Sequence, residues 1–171
     1  MFRWEDITIS IYEGGGEAAV FEPLEHNIKP YSFGLAQYLG AGVAACYRGF
    51  RLYDSQETRD KVLEWVTFYK KYREILGGDI IHIKHSTMQG LDAWLHINPT
   101  GHYKGLVMVF NPTSNTIIKL LPVPLYYTGL VKTALVSEAG QGWRQQQLGR
   151  DYKIILEISL EPESLTYFVV K

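Results

Sequence analysis

The sequence predicts an α/β segment followed by an all-β domain, and two observations carry that expectation. Up to Gly77 the apolar residues form strand-like runs that alternate with helical spacing; from Asp79 onward they recur with a period near two. The change falls at the glycine pair Gly77–Gly78. The chain is therefore expected to divide into residues 1–77 and 78–171.

In the first segment "DITISIY" (6–12) alternates and is β-branched, as a strand would be. "EGGGEAA" follows as a loop, and "YSFGLAQYLG" (31–40) reads as a short helix ending at Gly40. The continuous apolar run "GVAACYRG" (42–49) suits a strand of a parallel sheet, buried on both faces. A long helix comes next. Asp54 is its expected cap, with Glu57 three residues on, and Val62, Leu63, Val66, Tyr69, Tyr72, Ile75 and Leu76 form its apolar face. Lys70, Lys71 and Arg73 suit the negative end of its dipole, and Gly77 stops it. Strand, helix, strand, helix is the repeat of parallel α/β folds, and two units make only part of one.

In the second segment "DIIHIKH", "LDAWLHI", "GLVMVF", "TIIKLLPV", "YKIILEISL" and "SLTYFVV" are separated by Pro, Gly and Asn about every dozen residues. Short strands at that spacing predict an antiparallel sandwich of about seven or eight strands. "YKIILEISL" has the clearest alternation, with Tyr152, Ile154, Leu156, Ile158 and Leu160 on one side.

Composition narrows the function classes. Hydrophobic residues are 46% and charged residues 20%, which is enough apolar material for a packed core. Seventeen basic against eighteen acidic residues leave no field to attract nucleic acid or an anionic membrane. The single Cys46 excludes an internal disulfide and a cysteine zinc site. No apolar run approaches the roughly 18 residues of a membrane span, and "MFRWEDITIS" is not a signal peptide. A soluble, cytoplasmic protein is the expectation, with a targeting signal on a missing upstream region left open. Proline blocks both Asn-Pro-Thr triplets, at Asn98 and Asn111, as glycosylation sites.

Few residues suggest chemistry. The glycines at 14–16 lack the rest of a phosphate-loop motif, and no cofactor is expected. His26, His82, His85, His96 and His102 do not form a metal pattern; His82 and His85 should point to opposite faces of a strand. Glu13 lies where the first strand ends, the edge at which parallel α/β folds bind ligands. Glycoside hydrolysis needs two carboxyl groups about 5–10 Å apart, and the second strand end offers Arg48 instead of a second carboxylate. Arg48 and Arg51 suit carboxylates or sugar hydroxyls, with Tyr47 and Tyr53 beside them. Two readings stay open for these arginines: ligand contact, or local pairing with Glu13, Glu17, Glu22 and Glu25. Trp94, Trp143, Tyr126 and Tyr127 would serve as sugar platforms if exposed, but core positions are expected for each.

The phrases "GLAQYLGAGVAACYRGFRLYDSQET", "DAWLHINP", "KGLVMVFNPT" and "VPLYYTGL" resemble the C-terminal portion of α-galactosidase-like glycoside hydrolases. Those proteins join a catalytic (β/α)8 barrel to an antiparallel β-sandwich. The resemblance implies that residues 1–77 are the last two strand–helix units of a TIM-type barrel and residues 78–171 the sandwich. It implies a carbohydrate ligand, with Glu13, Tyr47, Arg48 and Arg51 on one side of the sugar pocket. It also implies catalytic carboxylates on earlier barrel strands, hence a need for an upstream barrel polypeptide, and no catalytic residue in this chain. The alternative is a non-catalytic carbohydrate-binding or interaction module built on the sandwich.

Overall fold

The computed structural model describes residues 21–43, 51–84, 87 and 89–171. The strand expected at 6–12, the glycine loop, Cys46 and nearly all of the strand expected at 42–49 lie outside them. The described residues fall into two compact units, one up to Arg73 and the other from Glu74.

The first unit opens with a 3-10 turn, Leu24–Asn27, that runs into helix α1, Ile28–Gly40. Gly42 takes φ 76°, and Gly42 N–H and Val43 N–H donate to the carbonyls of Leu39 and Tyr38. The helix thus ends at Gly40 as expected, although it starts at Ile28, three residues before the expected Tyr31, and the left-handed glycine two residues on closes it off. A Cβ on Gly34 would press against the Phe21 ring at 3.2 Å, so its missing side chain admits that ring.

Helix α2, Gln56–Leu76, begins one residue later than an Asp54 cap implies. Ser55 is the cap instead. Thr58 N–H donates to Ser55 Oγ at 3.2 Å, while Ser55 N–H donates back to Thr58 Oγ1 at 3.0 Å. Threonine thus fills the place expected for Glu57 in a capping box. The buried face is also rotated from the expected one. Trp65, Phe68, Tyr72, Ile75 and Leu76 are buried, whereas Leu63 is 46% exposed and Val62, Val66 and Tyr69 are only half-buried. The aromatic rings have more apolar area to remove from water, and they set the face. Their centroids lie 5.4 Å (Trp65–Phe68) and 5.1 Å (Phe68–Tyr72) apart. Trp65 Nε1–H donates to Ser32 Oγ of α1 at 3.0 Å.

The second unit is antiparallel throughout. Strands β1 (Asp79–Lys84), β2 (Asp92–Ile97), β3 (Gly105–Asn111), β5 (Thr133–Glu138), β6 (Gln141–Gln147) and β8 (Ser164–Val170) form one sheet in the order β1-β2-β3-β8-β5-β6. Strands β4 (Ile117–Pro124) and β7 (Lys153–Leu160) form a second sheet. One core fills the space between them. Ala93, Leu95, Ile97, Val107, Val109, Ala134, Val136, Phe168 and Val170 come from the large sheet, and Leu121, Val123, Ile154, Leu156, Ile158 and Leu160 from the small one. β7 alternates exposed and buried along its whole length, as its period-two pattern requires, although Tyr152 stands before the strand at φ 57°. β3 is buried on both faces. Gly78 must lack a side chain, because a Cβ there would run into the Ile97 carbonyl oxygen.

Candidate functional site

Of the four residues expected to contact sugar, Glu13, Tyr47 and Arg48 lie outside the described residues, and Arg51 is described. Arg51 sits in a polar cluster of the first unit. Its Nε donates to both carboxylate oxygens of Glu22 at 3.2 Å, and its Nη2 donates to Oε2 at 2.7 Å. Asp54 Oδ2 is 3.6 Å from the same guanidinium. Local pairing, one of the two readings left open for this arginine, is therefore present. The sequence placed Glu22 in the acidic stretch but gave no means of choosing it over Glu13, Glu17 or Glu25.

Asp54 has a role the sequence did not reveal. Pro23 precedes the 3-10 turn and provides no side-chain cap, so the turn's free N–H groups need an acceptor from elsewhere. Asp54, 29 residues away, accepts the Glu25 N–H at 3.1 Å and also takes the Thr58 hydroxyl at 3.1 Å. One carboxylate thereby holds the entries of both helices. Burial pushes its carboxyl up, but the Glu25 amide, the Thr58 hydroxyl, the Leu24 amide and Arg51 together hold it below the usual carboxylate range. A depressed carboxyl contributes stability above that range and loses it as pH falls through the folded-state pKa.

Tyr31 completes the cluster by donating its hydroxyl to the Leu52 carbonyl at 2.7 Å. Burial, and then the charges of Asp54 and Glu22, push its phenol from 10.0 up to about 12. The sign is that of a raised group. The stability it contributes is complete below pH 10.0 and is lost as pH rises through about 12. Tyr31→Phe is expected to cost about 1 kcal/mol at neutral pH, since it leaves the Leu52 carbonyl short of a donor. The difference from the parent should shrink across that alkaline window. Thermal unfolding followed by circular dichroism across the window checks both; a constant difference would show that the phenol does not titrate with folding.

The aromatic candidates separate into two groups. Trp94 is half-buried and stacks on Phe110 at 4.8 Å. The other three are not core residues as expected: Tyr126 and Tyr127 are each 62% exposed and Trp143 is 44% exposed. Tyr126 and Tyr127 sit in a 3-10 turn, Tyr126–Thr128, after β4, and Trp143 lies on β6, where every residue except Gln146 is exposed. Tyr126 meets Tyr127 at 5.2 Å and Tyr152 at 5.3 Å, both edge to face, while the Lys171 ammonium lies 4.5 Å from the Trp143 ring. Among the described residues no group of three or more His, Cys, Asp or Glu could hold a metal ion. No described helix is long and apolar enough to cross a membrane.

No protein-family model matches the chain, and no curated protein sequence matches it. Solved structures do. A protein assigned as an α-N-acetylgalactosaminidase, from Bacillus halodurans, matches 80% of this chain with 31% of its own, at TM-score 0.51 and 16% identity. A family 27 β-L-arabinopyranosidase from Geobacillus stearothermophilus matches 83% of this chain with 29% of its own, at TM-score 0.53 and 11% identity. A variant of that enzyme in complex with arabinose matches 82% with 30%, at TM-score 0.51 and 11% identity. This chain thus spans about a third of the length of these glycosidases. The expected resemblance holds at the level of fold: the chain shares its architecture with part of an α-galactosidase-like glycosidase.

Proposed function

We propose that the chain is the C-terminal part of a glycoside hydrolase-related protein that acts on carbohydrate. Residues 1–77 contribute the last two strand–helix units of a (β/α)8 barrel, and residues 78–171 the sandwich. The observation that carries this reading is the match of four-fifths of the chain to under a third of each glycosidase. Glu13, Tyr47, Arg48 and Arg51 line one side of the sugar pocket, and an upstream barrel polypeptide completes it. The protein is cytoplasmic and binds neither nucleic acid nor membrane.

In this reading the chain does not hydrolyse glycosides alone. Retaining and inverting mechanisms both place a second carboxyl group across the scissile bond, about 5–10 Å from the first. The sequence offers Glu13 as a carboxylate expected at a strand end and no second one to pair with it, and a single group cannot act as both acid and nucleophile. The purified chain is expected to release no nitrophenol from aryl α- or β-galactosides or arabinopyranosides above a Glu13→Gln control. Turnover clearly above that control would overturn the reading.

A specific observation favours a second reading, a non-catalytic carbohydrate-binding or interaction module. Tyr126, Tyr127 and Trp143 present ring area to solvent where core packing was expected. Exposed rings offer apolar faces on which the C–H side of a sugar can lie.

A further inference from the structure

The two sheets of the second unit are unequal, six strands against two. The small sheet cannot cover the whole inner face of the large one, and the sequence of β6 reflects this. Arg144 and Gln146 pair directly with the core residues Val136 and Ala134 of β5, so they occupy inner-face positions. In a covered sandwich those positions would be apolar. Here they are polar, and Arg144 is exposed. A groove of about 400 Å³ opens at this corner, with β5 and β6 on one side and Ile155 and Glu157 of β7 on the other. Its volume falls in the range of small-molecule sites.

A solvated margin is polar too; what marks this corner is the groove, into which its polar side chains open. Arg144 shares the groove with Glu138 and Glu157, yet among the described residues it makes no ion pair within 4.0 Å, and Gln141, Gln146 and Glu157 hydrogen-bond no other described side chain. Glu138 alone is engaged, accepting the Thr166 hydroxyl at 3.0 Å. The strand ladder fixes Arg144 at its level, and the two-residue turn through Ala139 (φ 45°) and Gly140 (φ 77°) fixes Glu138 opposite Gln141. Donor and acceptor groups therefore stand separated across a space that a ligand can enter.

The side chains also restrict what enters. Two carboxylates against one guanidinium disfavour an anion. Carboxylates accept from hydroxyls, a guanidinium donates to two oxygens at once, and each glutamine amide does both, which matches the vicinal hydroxyls of a polyol. Ile155, 48% exposed on the outer side of β7, adds apolar area at the rim of the groove for C–H groups. We propose that this groove binds a neutral sugar through Arg144, Glu138 and Glu157 with the amides of Gln141 and Gln146; the proposal rests on the carbohydrate reading above.

The test is an amide-shift titration of the full 171-residue chain with galactose, L-arabinose and N-acetylgalactosamine, and separately with sodium phosphate. Saturable shifts at residues 138–146 and 155–157 with one of the sugars, at a dissociation constant on the order of millimolar, are expected. Arg144→Ala and Gln146→Ala should each weaken that binding about tenfold, with the remaining amide shifts unchanged as the check on folding. Sugar-induced shifts confined to other residues, such as Tyr126 and Tyr127, would overturn the groove and leave the carbohydrate reading standing. Phosphate binding there without sugar binding would overturn the neutral-ligand assignment. Absence of any sugar-induced shift at about 100 mM would overturn the groove and the carbohydrate-binding reading together.

Discussion

Asn111→Ala is expected to lower the unfolding free energy by about 3–4 kcal/mol, a large loss for removal of so small a group. Asn111 ends β3 and is fully buried. Its amide nitrogen donates its two hydrogens to the carbonyls of Asn115 and Glu161, each at 2.8 Å, and shares one of them with the Leu160 carbonyl at 3.2 Å. Its oxygen accepts the Thr113 N–H at 3.0 Å and the Thr113 hydroxyl at 2.8 Å. One side chain thus joins the turn after β3 to the end of β7, and truncation leaves carbonyls near the core without donors. Asn98, in the other Asn-Pro-Thr triplet, is the internal comparison. Among the described residues it accepts only from Thr100 Oγ1 and Gly101 N–H, at a more exposed turn, so Asn98→Ala should cost about 1 kcal/mol. Urea unfolding of both variants measures the pair, and equal losses would show that burial of Asn111 is not the reason for its effect.

Leu95→Ala should cost about 3–5 kcal/mol. Leu95 is fully buried on the inner face of β2 and belongs to the core shared by both sheets. Its neighbours are held by strand ladders on either side, from β1 through β3, so they cannot collapse into the space left behind. Leu120→Ala, at a position 61% exposed on β4, should stay within about 0.5 kcal/mol. Chemical denaturation with unchanged m-values would confirm the contrast. A loss at Leu95 below about 1.5 kcal/mol would mean that the sandwich core repacks freely.

Legibility in the sequence followed the physics of burial. β1, β2, β4, β7 and β8 show in the sequence through apolar residues recurring on the core side, and β3, buried on both faces, through a continuous apolar run; β5 has only Ala134 and Val136 in the core, too few to stand out. β5 and β6 were not picked out. β6, "QGWRQQQ", pairs on one side only and is exposed on both faces, so no burial pattern could mark it. The helical span of α2 is plain in the sequence, but aliphatic spacing alone does not show its buried face, which the larger rings of Trp65 and Phe68 set. At the polar cluster, Arg51 could be nominated from its chemistry, whereas the use of Asp54 across 29 residues depends on tertiary approach. As a sequence motif, each Asn-Pro-Thr triplet shows a blocked glycosylation site and no sign of a turn tie. Their role as turn ties is set by side-chain oxygens that accept hydrogen bonds two and three residues on.

The place of β8 has a consequence for synthesis. It is the last strand in chain order, yet it lies between β3 and β5 inside the sheet. On the ribosome, β1 to β3 emerge as one meander and β5 with β6 as a separate hairpin, and no ladder joins the two until residues 164–170 arrive. At about 5–20 residues per second, the open edge of β3 waits about 3–10 s for its partner. During that interval β3 and β5 each expose a row of unpaired backbone groups able to accept a strand from a neighbouring nascent chain. A translation product stopped before Ser164 would keep both edges open permanently.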